Sequence, residues 1–191
     1  MIATLIAWSA VAQVPLITCP IMPVEPVASA GEYDYAGLRI GFCCQGCRNA
    51  FESDPAEVVK AGRESGRVIA VALFDQVLKK RVPLDSKDAV HVDRGGVRMR
   101  FLEPASRRDF LAAPAKFEKV PDQESTFCFA RRKEIGSYEK AIGYGDRQGV
   151  RYYLDCDECL RRFSEDSESF SRQAADSVKD LQPYLVPPKK A

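Results

Sequence analysis

Histidine is almost absent from this chain: His91 is the only one among 191 residues. A lone imidazole does not supply a Ser/His/Asp or Cys/His constellation, and it rules out a metal site built mainly from histidine. An excess of charge of one sign is missing too. Lys plus Arg number 28 against 27 for Asp plus Glu. No basic stripe is interleaved with aromatic residues, so the electrostatic signature of a nucleic-acid partner is lacking. No apolar run reaches the ~20 residues that a membrane-spanning helix needs. No glycine-rich loop leads into a helix in the pattern that cradles phosphate, and the acidic residues show no spacing that singles out an acid/base pair. The expected class is therefore a binding protein rather than an enzyme.

The first residues, MIATLIAWSAVAQ, form a short apolar segment closed by Ala10-Val11-Ala12, a small-x-small cleavage pattern. Residues 1–12 are expected to be a secretory signal cleaved before Gln13, which sends the protein to a periplasmic or extracellular space. The segment lacks a basic n-region and is shorter than the usual ~15 to 30 residues. The other reading is an apolar first strand or helix packed on the core of a cytoplasmic protein. A lipid anchor on Cys19 is disfavoured by Thr18, where a small Gly, Ala or Ser is expected.

What the chain does have is cysteine, seven of them. Three crowd the stretch FCCQGCRNAF (Phe42 to Phe51), at the junction between an apolar strand and an amphipathic helix. If a helix starts there, Cys43 and Cys47 are four residues apart and Cys44 and Cys47 three apart, so either pair shares one face. Cys19 lies upstream as a further arm. The other three, Cys128, Cys156 and Cys159, repeat the arrangement later in the chain.

Self-comparison extends that repeat. Asp34-Tyr-Ala-Gly37-Leu38-Arg39 is echoed by Asp93-Arg-Gly-Gly96-Val97-Arg98 and by Asp146-Arg-Gln-Gly149-Val150-Arg151. In each the Gly suits a turn position with positive φ, and the alternation that follows suits the return strand of a hairpin. Past the hairpin, FCCQGCRNAFESDP aligns without a gap with FLEPASRRDFLAAP (Phe101 to Pro114) and with LDCDECLRRFSEDS (Leu154 to Ser167). The anchors Phe51, Phe110 and Phe163 are 59 and then 53 residues apart. Such a period marks a repeat architecture.

The expected fold is α+β: three tandem β-hairpin-plus-helix units, treble-clef-like, packed together because ~50 residues bury too little alone. They span residues 13–66, 67–120 and 121–182, with linkers at Ala61 to Gly66 and Glu118 to Ser125 and a disordered tail at 183–191. Phe42, Phe51, Phe101, Phe110, Leu154 and Phe163 are the expected core. The middle unit has Leu102, Glu103 and Ser106 where the first has Cys43, Cys44 and Cys47, so it is expected to be held by packing alone.

Cys19-Pro20-Ile21-Met22, the hairpin ending in Phe42-Cys43-Cys44, then Gly46-Cys47, Phe51 and Asp54-Pro55 resemble the YHS family and its relatives in the TRASH-like, treble-clef group. The resemblance implies a site for a heavy-metal ion, zinc or copper, held by Cys19, Cys43, Cys44 and Cys47. In the third unit it implies Cys128, Cys156 and Cys159. Asp155 stands there in place of Cys43, so a soft ion should bind the first unit more tightly. The metal ion is the expected partner, with storage, sensing or delivery as the role; another protein is the alternative partner.

Three chemistries compete for the cysteines. Metal ligation leads, because all seven fall at ligand positions of two units. Structural disulfides in a protein-interaction module come second; export favours them, but the odd number leaves one thiol over. Thiol redox at Cys44/Cys47 and Cys156/Cys159 comes last, because a redox CxxC is expected beside a βαβ pattern. His91 is read as a surface or half-buried strand residue, and Met22 as a core residue rather than a thioether ligand. The repeated Asp and Arg are read as braces of the turn. Thiol titration of denatured, unreduced protein separates these readings: metal ligation predicts about seven reactive thiols once a chelator has removed the ion, and disulfides predict about one.

Overall fold

The computed structural model describes residues 17–119, 121–128, 131, 133–177 and 185–186. The signal reading of residues 1–12 lies outside them. The described chain is mixed α+β, with six helices and several sheets.

Hairpin-then-helix order occurs three times. Strands β1 (Glu32–Tyr35) and β2 (Leu38–Gly41) precede α1 (Gln45–Ser53) and α2 (Pro55–Glu64). Three short strands follow: β3 (Ala70–Ala72), β4 (Phe74–Asp75) and β5 (Lys80–Arg81). Next come the hairpin β6 (Val90–Arg94) and β7 (Val97–Phe101) and the helices α3 (Pro104–Ala112) and α4 (Pro114–Phe117). After these lie β8 (Gln123–Ser125), β9 (Phe127–Cys128) and β10 (Lys133–Glu134). The last hairpin, β11 (Gly143–Arg147) and β12 (Val150–Leu154), leads into α5 (Asp157–Glu165) and α6 (Ser167–Ser177), and β13 (Leu185–Val186) follows.

Each hairpin closes on two residues with positive φ: Ala36 and Gly37 at 50° and 74°, Gly95 and Gly96 at 54° and 74°, Gln148 and Gly149 at 48° and 79°. Two successive left-handed residues make the type I′ turn, whose twist matches that of the flanking strands. The repeated Asp and Arg face each other in register, Asp34↔Arg39, Asp93↔Arg98 and Asp146↔Arg151. In each pair the guanidinium Nε donates to the carboxylate at 2.8 Å and Nη2 makes a second bond. The first two bridges are part-buried, whereas Arg151 is buried and lies 4.1 Å from the centroid of the Tyr144 ring. The helices break after about two turns because the next one opens with a proline at its first position, Pro55 in α2 and Pro114 in α4.

Two sheets splice the hairpins together. In the first, of order β1-β2-β3-β7-β6, strand β3 runs antiparallel to β2 and parallel to β7. The second has the order β13-β8-β12-β11-β5-β4, so β4 and β5 leave the middle stretch to pair beside the last hairpin, Lys80 opposite Gly143. Residues 67–120 thus contribute strands to both sheets.

Phe42, Phe51, Phe101 and Phe110 are fully buried, with ring centroids 5.4 Å apart in the first pair and 5.2 Å in the second, and Leu154 is buried in its own cluster. Phe163, expected in the core, is only half-buried. Its ring lies over Gly145, where a Cβ would come within 2.1 Å of it, and Phe170 from α6 takes the buried place beside it at 5.3 Å. Met22, also expected in the core, is exposed. His91 is half-buried in β6, as expected of a strand residue, with its backbone carbonyl accepting from Arg107 Nε.

The stretches read as linkers are structured. Helix α2 runs to Glu64, and its Gly62 is packed so closely on Ile69 that a Cβ would meet Ile69 Cδ1 at 2.1 Å. In β8 the buried Glu124 accepts hydrogen bonds from Tyr138 and Tyr153, each at 2.6 Å, which pins that strand to the aromatic core. Within the tail, Leu185 and Val186 pair with Ser125 and Glu124 along the edge of β8 rather than hanging free. An edge strand has unpaired N–H and C=O groups, and a short apolar strand satisfies them.

Candidate metal centre

The first cluster forms where the loop after Ile17 meets the β2–α1 junction. Cys44 is the N-cap of α1: it is extended, and its Sγ accepts from the Cys47 N–H at 3.4 Å. That cap sets the first turn of the helix and points Cys47 inward, where it is buried. Cys19, Cys43 and Cys47 converge, with sulfurs within 4.8 Å of one another, and Cys43 and Cys47 stand 3.6 Å apart. Cys44, implied as a ligand by the resemblance, is exposed and lies outside this triad.

The second cluster has the same plan. Cys156 is the N-cap of α5 and accepts from the Cys159 N–H at 3.5 Å. Cys128, on β9, brings its sulfur to 3.9 Å from Cys156 and 3.8 Å from Cys159. These three also lie within 4.8 Å of one another. Here the N-cap cysteine is inside the group, whereas in the first cluster it is the residue before the N-cap. None of the seven cysteines is in a disulfide, and the sulfur separations stand well beyond the ~2.05 Å of such a bond.

The thiols of the first cluster are polarised in opposite directions. Burial works to raise the Cys19 thiol, but the N–H groups of Met22, Cys43 and Ile21 outweigh it and leave Cys19 below the ordinary thiol range. Cys44 is lowered by the Cys47 N–H. Burial, then the neighbouring Cys44 and Cys43 sulfurs, push Cys47 up, and burial and Cys19 push Cys43 up. In the second cluster burial, then Asp155, push Cys128 up. Two thiols of the first cluster are thus shifted towards the thiolate and two away from it. A soft cation favours the charged form, because its ligands are thiolates.

The middle copy fills the same place without sulfur. Asp75 is fully buried; its Oδ1 accepts from Val77 N–H at 2.9 Å and Leu78 N–H at 3.1 Å, and its Oδ2 from Leu102 N–H at 3.0 Å. These donors correspond one for one to those of Cys19: the residues two and three further on, and the residue at the hairpin–helix junction, where Leu102 aligns with Cys43. Asp75 is also 53 residues before Cys128, the repeat period. The middle copy is therefore tied by a carboxylate as well as by packing, which corrects the expectation that packing alone holds it. At the Cys47 position it has Ser106, buried, whose Oγ lacks a hydrogen-bond partner among the described residues. Asp75 was missed because it is one acidic residue of many; the 53-residue offset was the signal that pointed to it.

No protein-family model, curated protein or solved structure matches this chain.

Asp75→Ala is expected to destabilise the fold by roughly 2–4 kcal/mol, since it strands buried N–H groups that a carboxylate now satisfies. Denaturant midpoints measured with and without a chelator check this. The loss should be the same in both, because the middle copy has no thiolates to lose.

Proposed function

We propose that this is a non-enzymatic heavy-metal-binding protein of the YHS-like kind, which takes a soft ion, Zn(II) or Cu(I), in each of two cysteine clusters for storage, sensing or delivery. The observation that carries this reading is sulfur spacing. Separations of 3.6, 3.8 and 3.9 Å fit the ~3.8 Å edge of a tetrahedron of sulfurs each ~2.3 Å from one ion. We read the three hairpin–helix pairs as three treble-clef-like copies. In each, the upstream residue is tied to the junction, by an ion in the outer two and by Asp75 in the middle one. In the first site Cys19, Cys43 and Cys47 form the primary set, and exposed Cys44 is one residue from the group as a fourth sulfur.

Protein purified anaerobically should carry close to two equivalents of a soft metal. Cys47→Ser and Cys159→Ser should each remove one equivalent, and the double variant both; elemental analysis after gel filtration reads the count. Because Cys47 and Cys128 are held above the ordinary thiol range, binding must expel their protons, so affinity rises with pH. Between about pH 6 and about pH 8 the apparent affinity should increase by at least about tenfold per unit, one decade for each proton displaced. Metal-free protein, or an affinity indifferent to pH, would count against thiolate ligation.

A further inference from the structure

An oxygen stands beside the sulfurs of the second cluster. Asp155 lies between β12 and the N-cap Cys156, at the position that Cys43 holds in the first junction. Cys43 is one of the three converged sulfurs there; in the second junction the converged group is Cys128, Cys156 and Cys159, and the Asp155 carboxylate borders it from outside, so ligation takes a turn of this side chain towards the sulfurs. The Asp155 side chain is only 6% exposed. A carboxylate so deeply placed is costly unless its oxygens are satisfied. Arg131 Nη1 donates to Oδ2 across a long 3.4 Å, from a guanidinium that is half exposed, and Arg131 Nη2 reaches the Asp155 backbone carbonyl at 3.5 Å. Oδ1 is buried and has no donor among the described residues. The carboxylate also borders the Cys128 sulfur, whose thiol it helps burial to push up.

We propose that Asp155 is the fourth ligand of the second cluster, with Oδ1 joining Cys128, Cys156 and Cys159 in a three-thiolate, one-carboxylate set for a divalent ion of the zinc class. This rests on the reading that the three cysteines hold a metal. An ion at the sulfurs gives the stranded oxygen a cationic partner, and Arg131 on Oδ2 fixes the carboxylate's orientation, as outer partners of ligating carboxylates do. A hard oxygen in place of a fourth sulfur moves the preference from Cu(I) towards Zn(II). The two clusters then differ in kind as well as in strength: the first offers only sulfur, the second a mixed set.

The test uses the full chain with Cys47→Ser, which silences the first cluster, titrated anaerobically with Co(II) as the probe. The parent should show thiolate-to-cobalt charge transfer and the intense visible bands of a tetrahedral ion. Adding Asp155→Ala should weaken Co(II) binding by at least about tenfold and shift the visible bands. Asp155→Cys should restore affinity and move the bands to those of four thiolates. Asp155→Asn, nearly isosteric, separates ligation from folding: it should keep the near-ultraviolet circular dichroism of the metal-free parent while weakening Co(II). Unchanged affinity and bands in Asp155→Ala and Asp155→Asn would overturn the proposal while the charge-transfer bands upheld the metal reading. Absence of those bands in the parent would overturn the metal reading of this cluster and the proposal with it.

Discussion

The structure depends on one cross-tie, made three times, between a residue upstream of a hairpin and the point where the hairpin's return strand becomes a helix. A unit of ~50 residues buries too little apolar surface to hold a loop, a hairpin and a short helix in place by packing alone. The tie supplies what packing lacks. In the middle copy it is visible in full, as the carboxylate of Asp75 accepting from Val77, Leu78 and Leu102. In the outer copies the upstream residue is a cysteine whose sulfur meets other sulfurs at the junction. The same backbone geometry thus serves two arrangements: hydrogen bonds from N–H groups to a fixed carboxylate, and sulfurs gathered closely enough to hold a metal ion.

That equivalence explains why the clusters are built as they are. The Cys19 thiol is lowered by N–H groups at the positions that correspond to the donors of Asp75 in the middle copy, so both upstream residues sit where the backbone favours negative charge. The cap of each helix fixes the next sulfur: Cys44 and Cys156 accept from the N–H three residues on, and this first turn directs Cys47 and Cys159 into the interior. The two sheets carry this order across the chain. Strand β3 joins the first two hairpins, and β4 holds Asp75 while pairing, through β5, towards the last hairpin. The middle copy, with no thiolates, is the frame between the other two.

Much of this was legible in the sequence because the signals are local and repeated. The turn glycines, the paired Asp and Arg and the Phe anchors recur at matching places in the three hairpin–helix stretches, as the CxxC spacing does in two of them, and each acts through neighbours a few residues away. What was not legible depends on distant approach. Whether Cys43 or Cys44 joins the first triad is decided by where Cys19 arrives, and a helical wheel treats both alike. Asp75 looks like any acid until the Leu102 N–H comes within reach. Phe163 loses its core place to Phe170 because Gly145 leaves a shelf on β11, and Leu185 and Val186 pair only because the edge of β8 is open. Met22 is exposed on the loop whose N–H groups face the Cys19 sulfur, an approach that only the folded chain shows.

The central claim is that an ion makes the tie in the outer copies. X-ray absorption of the protein as purified without oxygen tests it most directly, because the fine structure at the metal edge counts ligands by element and distance. The account predicts a bound soft metal with a dominant sulfur shell at ~2.3 Å, and a minor oxygen contribution near 2.0–2.2 Å if the ion is zinc. A metal surrounded only by oxygen and nitrogen, or protein that holds no metal while its thiols remain reduced, would contradict it.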